Sequence, residues 1–539
     1  MTDPLATSGT LLAARTLAAV APGSAALAPL QAWTGETTLQ LAVVGVYLLA
    51  ALALGLIAYR VTSREAEDYY LASRSLGTVV LLFTTFATLL SAFTFFGGPN
   101  VAYSFGPEWI LVMGLMDGIL FAVLWYVLGY RQWLVGRQHG YVTLGEMLGD
   151  RFGSTTLRAV VAGVSIFWLF PYVMLQQVGA GQALVGLTNG AVPYWAGATL
   201  ITLFMIGYVV VAGLRGVAWT DTLQGLFMLL VTWAAVAWVV SAAGGLGALS
   251  SALAGTRPEF LALGGAPAAG APYSVQYVIA TAVTIAFGVT MFPQINQRFF
   301  VARDARVLKR SFALWPVLVV LLFVPAFLLG TWAAGLGIEV PQGSNVLPLL
   351  LNEYTPVWFA ALVIAGALAA MMSSSDSMLL SGSSYLTRDL YRPLVEPDAS
   401  DDREGWVARV GVAVFALGSL AAALLQGGGG GLDVLVTIGD TAFGGYAQLA
   451  LPVLVALYWA RTTRTGMFAG VLGSQAFYLA HVFVPEVTVA GVTLLGDAYL
   501  TWDFALWGML LSLVLTVGVS ALTSAAPEED ARTFTVGAD

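Results

Sequence analysis

The chain has 539 residues, of which 58% are hydrophobic and 10% charged, with a mean hydropathy of +0.83. Soluble domains carry about 25% charged residues, so this is the composition of a polytopic membrane protein, one whose partners include the lipid bilayer. The net charge of −8 disfavours nucleic acid, and with no cysteine and only His139 and His481 there is no basis for disulfides, thiolate chemistry or a Cys/His metal cluster.

Residues 1–37 read as an extracytoplasmic N-terminal segment. Leu11 to Ala32 is mildly apolar, but Arg15, Pro22 and Pro29 interrupt it and no basic stretch precedes it. Apolar cores then fall at 38–59, 76–98, 109–130, 156–187, 193–214, 217–242, 276–297, 311–336, 356–386, 406–426, 433–459, 465–484 and 502–523. That predicts an all-α protein with about thirteen transmembrane helices. All basic residues except Arg15 and Arg257 lie on every second connection, with the Arg298, Arg303, Arg306, Lys309 and Arg310 group the densest. The positive-inside rule then puts the N-terminus outside, the C-terminus in the cytoplasm and the whole chain in the cell membrane.

Two cores carry breaks. The second contains Ser91-Ala92-Phe93-Thr94-Phe95-Phe96-Gly97-Gly98-Pro99, with Thr84, Thr85 and Thr88 a few residues earlier. The seventh contains Phe287-Gly288-Val289-Thr290-Met291-Phe292-Pro293. Gly-Pro can simply end a helix at the interface, but it can also free backbone carbonyls to hold an ion. The breaks lie five spans apart, the spacing expected of a 5+5 inverted repeat in which each unit opens on a broken first helix. The chain divides accordingly. A leading helix at 38–60 is followed by a first repeat at 75–242, an external Gly/Ala/Pro-rich loop at 243–274 and a second repeat at 275–460. Trailing helices at 461–523 and a cytoplasmic tail at 524–539 complete it.

The ninth core contains Ala369-Ala370-Met371-Met372-Ser373-Ser374-Ser375-Asp376-Ser377, where Asp376 is the single charge between Pro356 and Thr387. Polar groups inside a span are costly unless they face protein or water. Ala370, Ser373 and Ser374 fall at i, i+3 and i+4, on one helix face. Such small residues serve close helix packing as readily as ion binding. Asp221 reads as an N-cap of the sixth span or as a station on an ion path, and Asp376 as that station or as a paired carboxylate.

Three stretches carry a resemblance to the sodium:solute symporter family, which includes proline, pantothenate and sugar symporters. They are Glu67-Asp68-Tyr69-Tyr70 leading to Arg74-Ser75-Leu76-Gly77, Ala218-Trp219-Thr220-Asp221-Thr222-Leu223-Gln224, and Ala369 to Ser374 followed by Ser383-Ser384 and Arg388-Asp389-Leu390-Tyr391. The resemblance implies a leucine-transporter-type fold and a sodium ion held by carbonyls of Ala87, Leu90 and Ala370 and hydroxyls of Ser373 and Ser374. It also implies no cofactor beyond that coupling ion and no obligatory protein partner. Some relatives, proline symporters among them, carry an aspartate at the position matching Leu89; its absence points to one coupled ion.

The expected function is sodium-coupled symport of a small organic solute by alternating access, the solute being a carboxylate such as pantothenate or a monocarboxylate, or an amino acid. Tyr172 matches a family position with an aromatic near the substrate. Ser91, Thr94, Phe95, Gln176, Phe287, Thr290 and Gln448 are further candidates, chosen by their place between the two breaks and the fourth and eleventh spans. No basic residue is expected at mid-span. An enzyme lacks a nucleophile with its base, and a fused sensor lacks a signalling domain after Thr523. A sensor without such a domain, a channel and proton coupling are the alternatives; a proton would need a titratable group such as Asp376.

Overall fold

The computed structural model describes residues 33–61, 74–262, 274–484, 487–489, 492–495, 498–499, 502–524 and 534. Most of the N-terminal segment, the Glu67–Ser73 part of the first motif and most of the tail lie outside the described residues. The described chain is mostly helical, and ten helices are long and apolar enough to cross a membrane, or twelve if each bent pair is one span.

α1 (Gly35–Val61) is followed by a pair bent by 61°, formed by α2 (Thr78–Leu89) and, after a wide turn at Phe93–Gly97, α3 (Gly98–Phe105). α4 (Ile110–His139) leads to the short α5 (Leu144–Arg151), whose Thr143 and Glu146 cap each other's backbone, and to α6 (Thr155–Leu187), capped by Ser154. α7 (Tyr194–Ala242) is 49 residues of helix, yet the Tyr208 hydroxyl hydrogen-bonds the Thr220 hydroxyl. Residues 12 apart in a straight helix stand about 18 Å apart, so α7 bends sharply between Tyr208 and Thr220. α7 therefore supplies two arms, joined at that bend, where the sequence reading put its fifth and sixth spans.

A second pair, bent by 57°, consists of α9 (Val275–Thr290) and α10 (Pro293–Phe300). Pro293 opens α10, where its missing N–H costs nothing. α11 (Ala305–Gly335) is capped by Asp304, α12 (Val346–Tyr354) is short, and α13 (Val357–Ser384) continues as helix to Leu394. α14 (Asp401–Gln426), α15 (Val434–Tyr458), α16 (Arg464–Phe483) and α17 (Phe504–Leu522) complete the helices; α8 (Leu246–Thr256) lies in the Gly/Ala-rich loop. That loop is thus partly helical: Leu253 and Phe260 pack with Ala334 at the end of α11. The all-α expectation also missed two small hairpins, β1 (Val487–Val489) with β2 (Val492–Leu495), and β3 (Ala498–Tyr499) with β4 (Trp502–Asp503).

α13 sits at the centre, with 83% of its most apolar window buried, whereas the matching figure for α1 is 28%. Large side chains such as Val46, Leu49, Leu230, Val414 and Val514 are exposed on outer helices, an apolar exterior suited to lipid.

Candidate functional site

The first break arises where α2 stops at Leu89 and Leu90 turns to extended backbone. The last carbonyls of a helix have no intrahelical donor, so those of α2 are left for other partners. α13 supplies one, since the Ser374 hydroxyl lies 2.9 Å from the Thr88 carbonyl and also reaches the Leu90 carbonyl. The structure thereby brings Leu90 and Ser374 into direct contact. Ala87, Ala370 and Ser373 are fully buried on the same two helices. Ser373 instead donates to Asp221 Oδ1 at 2.6 Å.

Asp221 is not an N-cap. It lies inside helical backbone and its carboxylate receives side-chain donors, with Thr84 donating to Oδ2 at 2.6 Å. Beside it stands Arg298, 1% exposed, with Nη2 2.6 Å from Ser377 Oγ, 2.8 Å from Thr88 Oγ1, 3.2 Å from Thr84 Oγ1 and 3.3 Å from Asp221 Oδ2. The sequence puts Arg298 with the basic group on a connection; the structure instead buries it on α10, the helix that Pro293 opens. One cluster therefore ties together both broken helices, the second arm of α7 and α13. Asp376 is 2% exposed, and its Oδ1 meets no donor among the described residues.

The first motif also finds a role. Arg74 donates to the carbonyls of Phe300 and Tyr141, and Arg303 N donates to the Leu76 carbonyl, so this segment clasps the chain just past α10. In the third motif, Asp389 receives Arg158 Nε at 2.8 Å and Thr143 Oγ1 at 3.0 Å, joining the end of α13 to α5 and α6.

A cavity lies near the first break, walled by Phe93, Thr94, Asp117, Tyr172, Trp315 and Phe443 among others. Of the solute candidates, Thr94 and Tyr172 line it, and Ser91 hydrogen-bonds the Tyr172 hydroxyl at 3.2 Å. Gln176 serves the break itself, accepting from Ala92 N and donating to the Tyr172 carbonyl. The Thr290 hydroxyl donates to Ala286 within its own helix, and Gln448 faces Ala505 on α17. Phe95 is buried and Phe287 half-buried, both away from this cavity.

Residues 69–473 match the model of the sodium:solute symporter family. The chain belongs to that family. Members couple solute movement to sodium, and the chain is accordingly a transporter, not an enzyme. It is 27% identical to the sodium/pantothenate symporter of Escherichia coli over 80% of this chain and 88% of that one. It is 26% identical to the high-affinity proline transporter PutP of Bacillus subtilis, over 79% and 88%. A solved Na+-coupled sialic acid symporter, in its substrate-bound outward-open state, shares the fold with a TM-score of 0.73 and 20% identity, over 91% of this symporter and 98% of that one.

Proposed function

We propose that the chain carries a small carboxylate-bearing organic solute, an amino acid or an organic acid, across the cell membrane together with sodium, by alternating access. Its sodium would bind the carbonyls of Ala87, Leu90 and Ala370 and the hydroxyls of Ser373 and Ser374. The observation that carries this reading is the Ser374 hydroxyl set against the Thr88 and Leu90 carbonyls at the break. These oxygens are neutral, buried and aimed at one another, the donor type a partly dehydrated sodium takes and can leave again. Asp221 and Asp376 are the ion path: Asp221 shares Ser373 with the site, and Asp376 keeps a buried oxygen without a donor among the described residues.

The two bends of 61° and 57° at matching places support an inverted repeat of 75–242 and 275–460. Counting both arms of α7 gives thirteen spans, with the N-terminus outside and the C-terminus in the cytoplasm. Solute would sit in the cavity beside the first break, against Ser91, Thr94 and Tyr172. The test is uptake into proteoliposomes with and without an inward sodium gradient. Ser373→Ala with Ser374→Ala should raise the sodium needed for half-maximal uptake by about tenfold or more, each lost oxygen contributing roughly 1 kcal/mol. Unchanged sodium dependence in a well-expressed double variant would overturn the site.

A further inference from the structure

Asp117, on α4, has no part in the sodium site. It is 1% exposed, and neither of its carboxylate oxygens meets a donor among the described residues. It lines the cavity that also contains Thr94 and Tyr172, and none of the residues lining that cavity is lysine or arginine. A lone ionised carboxylate in such surroundings is costly unless it takes up a proton or a cation joins it.

The rest of the wall, Thr94 apart, is apolar, with aromatic rings beside aliphatic side chains such as Leu89, Ile285 and Val289. Phe93 and Phe443 meet edge to face at 5.2 Å, and Tyr172 stands 5.4 Å from Phe443. Phe121, one turn beyond Asp117 on α4, stacks on Trp315 at 6.2 Å.

We propose that this cavity receives a positively charged nitrogen of the solute, with Asp117 as its counter-ion and the rings of Phe93, Tyr172 and Phe443 beside it. The proposal rests on the solute-symporter reading above and narrows it. The solute is an amino acid or a betaine-like zwitterion rather than a plain organic acid. Ring faces attract cations and repel anions. A plain anion here would meet Asp117 as a like charge, with no basic residue to compensate. A bare alkali ion needs a shell of oxygens, and among the side chains of this wall only Thr94, Asp117 and Tyr172 carry one.

Ligand binding to the purified, detergent-solubilised protein tests this directly, read as a thermal shift at fixed sodium. Proline, glycine betaine and choline form the cationic-nitrogen panel; pantothenate, pyruvate and acetate form the anion panel. At least one of the first panel should bind the unaltered protein, and none of the second. Asp117→Asn, nearly identical in shape, should weaken that binding at least tenfold, and Asp117→Glu should retain part of it. Phe443→Leu reads the same recognition independently of how Asp117→Asn folds, and should weaken binding about threefold. Binding of the anion panel alone, no binding by any member of the cationic panel, or unaltered affinity in both Asp117→Asn and Phe443→Leu would overturn the proposal. Sodium-driven uptake is measured separately on the same preparation. Selective binding of cationic nitrogen without sodium dependence would sink the sodium-coupled reading and uphold this one.

Discussion

The pairing of Arg298 with Asp221 is the most exacting test of how the bundle is held. Both side chains are 1% exposed and 3.3 Å apart, so solvent screens them little. With an effective dielectric of about 20, their attraction is roughly 5 kcal/mol. Removing one partner of a buried pair costs about 3–5 kcal/mol, because the other charge is left uncompensated. Arg298→Met keeps length and apolar bulk while leaving Asp221 with only Thr84, Thr88 and Ser373 as donors. Asp221→Asn keeps shape and leaves Arg298 among hydroxyls. Each single change should destabilise by about 3 kcal/mol or more, and the double variant should recover at least ~2 kcal/mol of the sum. Unfolding by SDS in mixed micelles, run on all four proteins, measures the cycle. Single-variant losses that add to within about 0.5 kcal/mol would refute the claim that this contact couples the broken helices.

Other outcomes can be read with simple variants. The chain has no cysteine, so single cysteines report topology directly: Arg306→Cys should label only from the cytoplasmic side and Ala254→Cys only in intact cells from outside. Gly288→Ala and Gly330→Ala should each cost about 1–3 kcal/mol or abolish assembly, seen as lost monodisperse protein on size exclusion, because the new Cβ would meet backbone. Tyr208→Phe should cost about 1 kcal/mol in mixed-micelle unfolding, by removing the bond to Thr220 that joins the two arms of α7. Asp389→Asn should lower thermal stability, with no change in the sodium needed by the protein that remains folded, because Asp389 serves Arg158 and Thr143 away from the ion site.

Much of the architecture was legible because membrane insertion writes itself into composition. Long apolar cores, arginines on alternate connections and Gly/Pro interruptions are local signals; the second bend falls between Gly288 and Pro293 as they suggest, whereas the first falls at Leu90 to Ala92, ahead of Gly97-Gly98-Pro99, which stay helical. Placing Ser374 beside the first break needed two helices 280-odd residues apart to be recognised as neighbours, which only the family resemblance supplied. Arg298 was hidden by its company, because four more basic residues follow by Arg310 and the group read as one loop. What distinguishes it is a position five residues after Pro293, on the short helix that turns inward. Asp117 was missed although its signal matched that of Asp376: it is the only charge between Glu108 and Arg131 in an apolar run. Gln448 was chosen by its span, but a helix has several faces, and that one belongs to α17.

The glycines at two crossings limit how this bundle can move. At Gly330 of α11 an added Cβ would stand 2.2 Å from the Pro99 carbonyl oxygen of α3, and at Gly288 of α9 the same distance from the Phe443 carbonyl of α15. Main chain lies on main chain there, with no side chain between to swing aside. Close-packed surfaces of that kind do not slide by fractions of a residue. The second half of the first broken helix, α3, is therefore expected to travel with α11, and α9 with α15, as two stiff couples. Opening to one side or the other then falls to the seams between these couples, where rotatable groups such as Ser374, Tyr172 and Arg298 make the contacts.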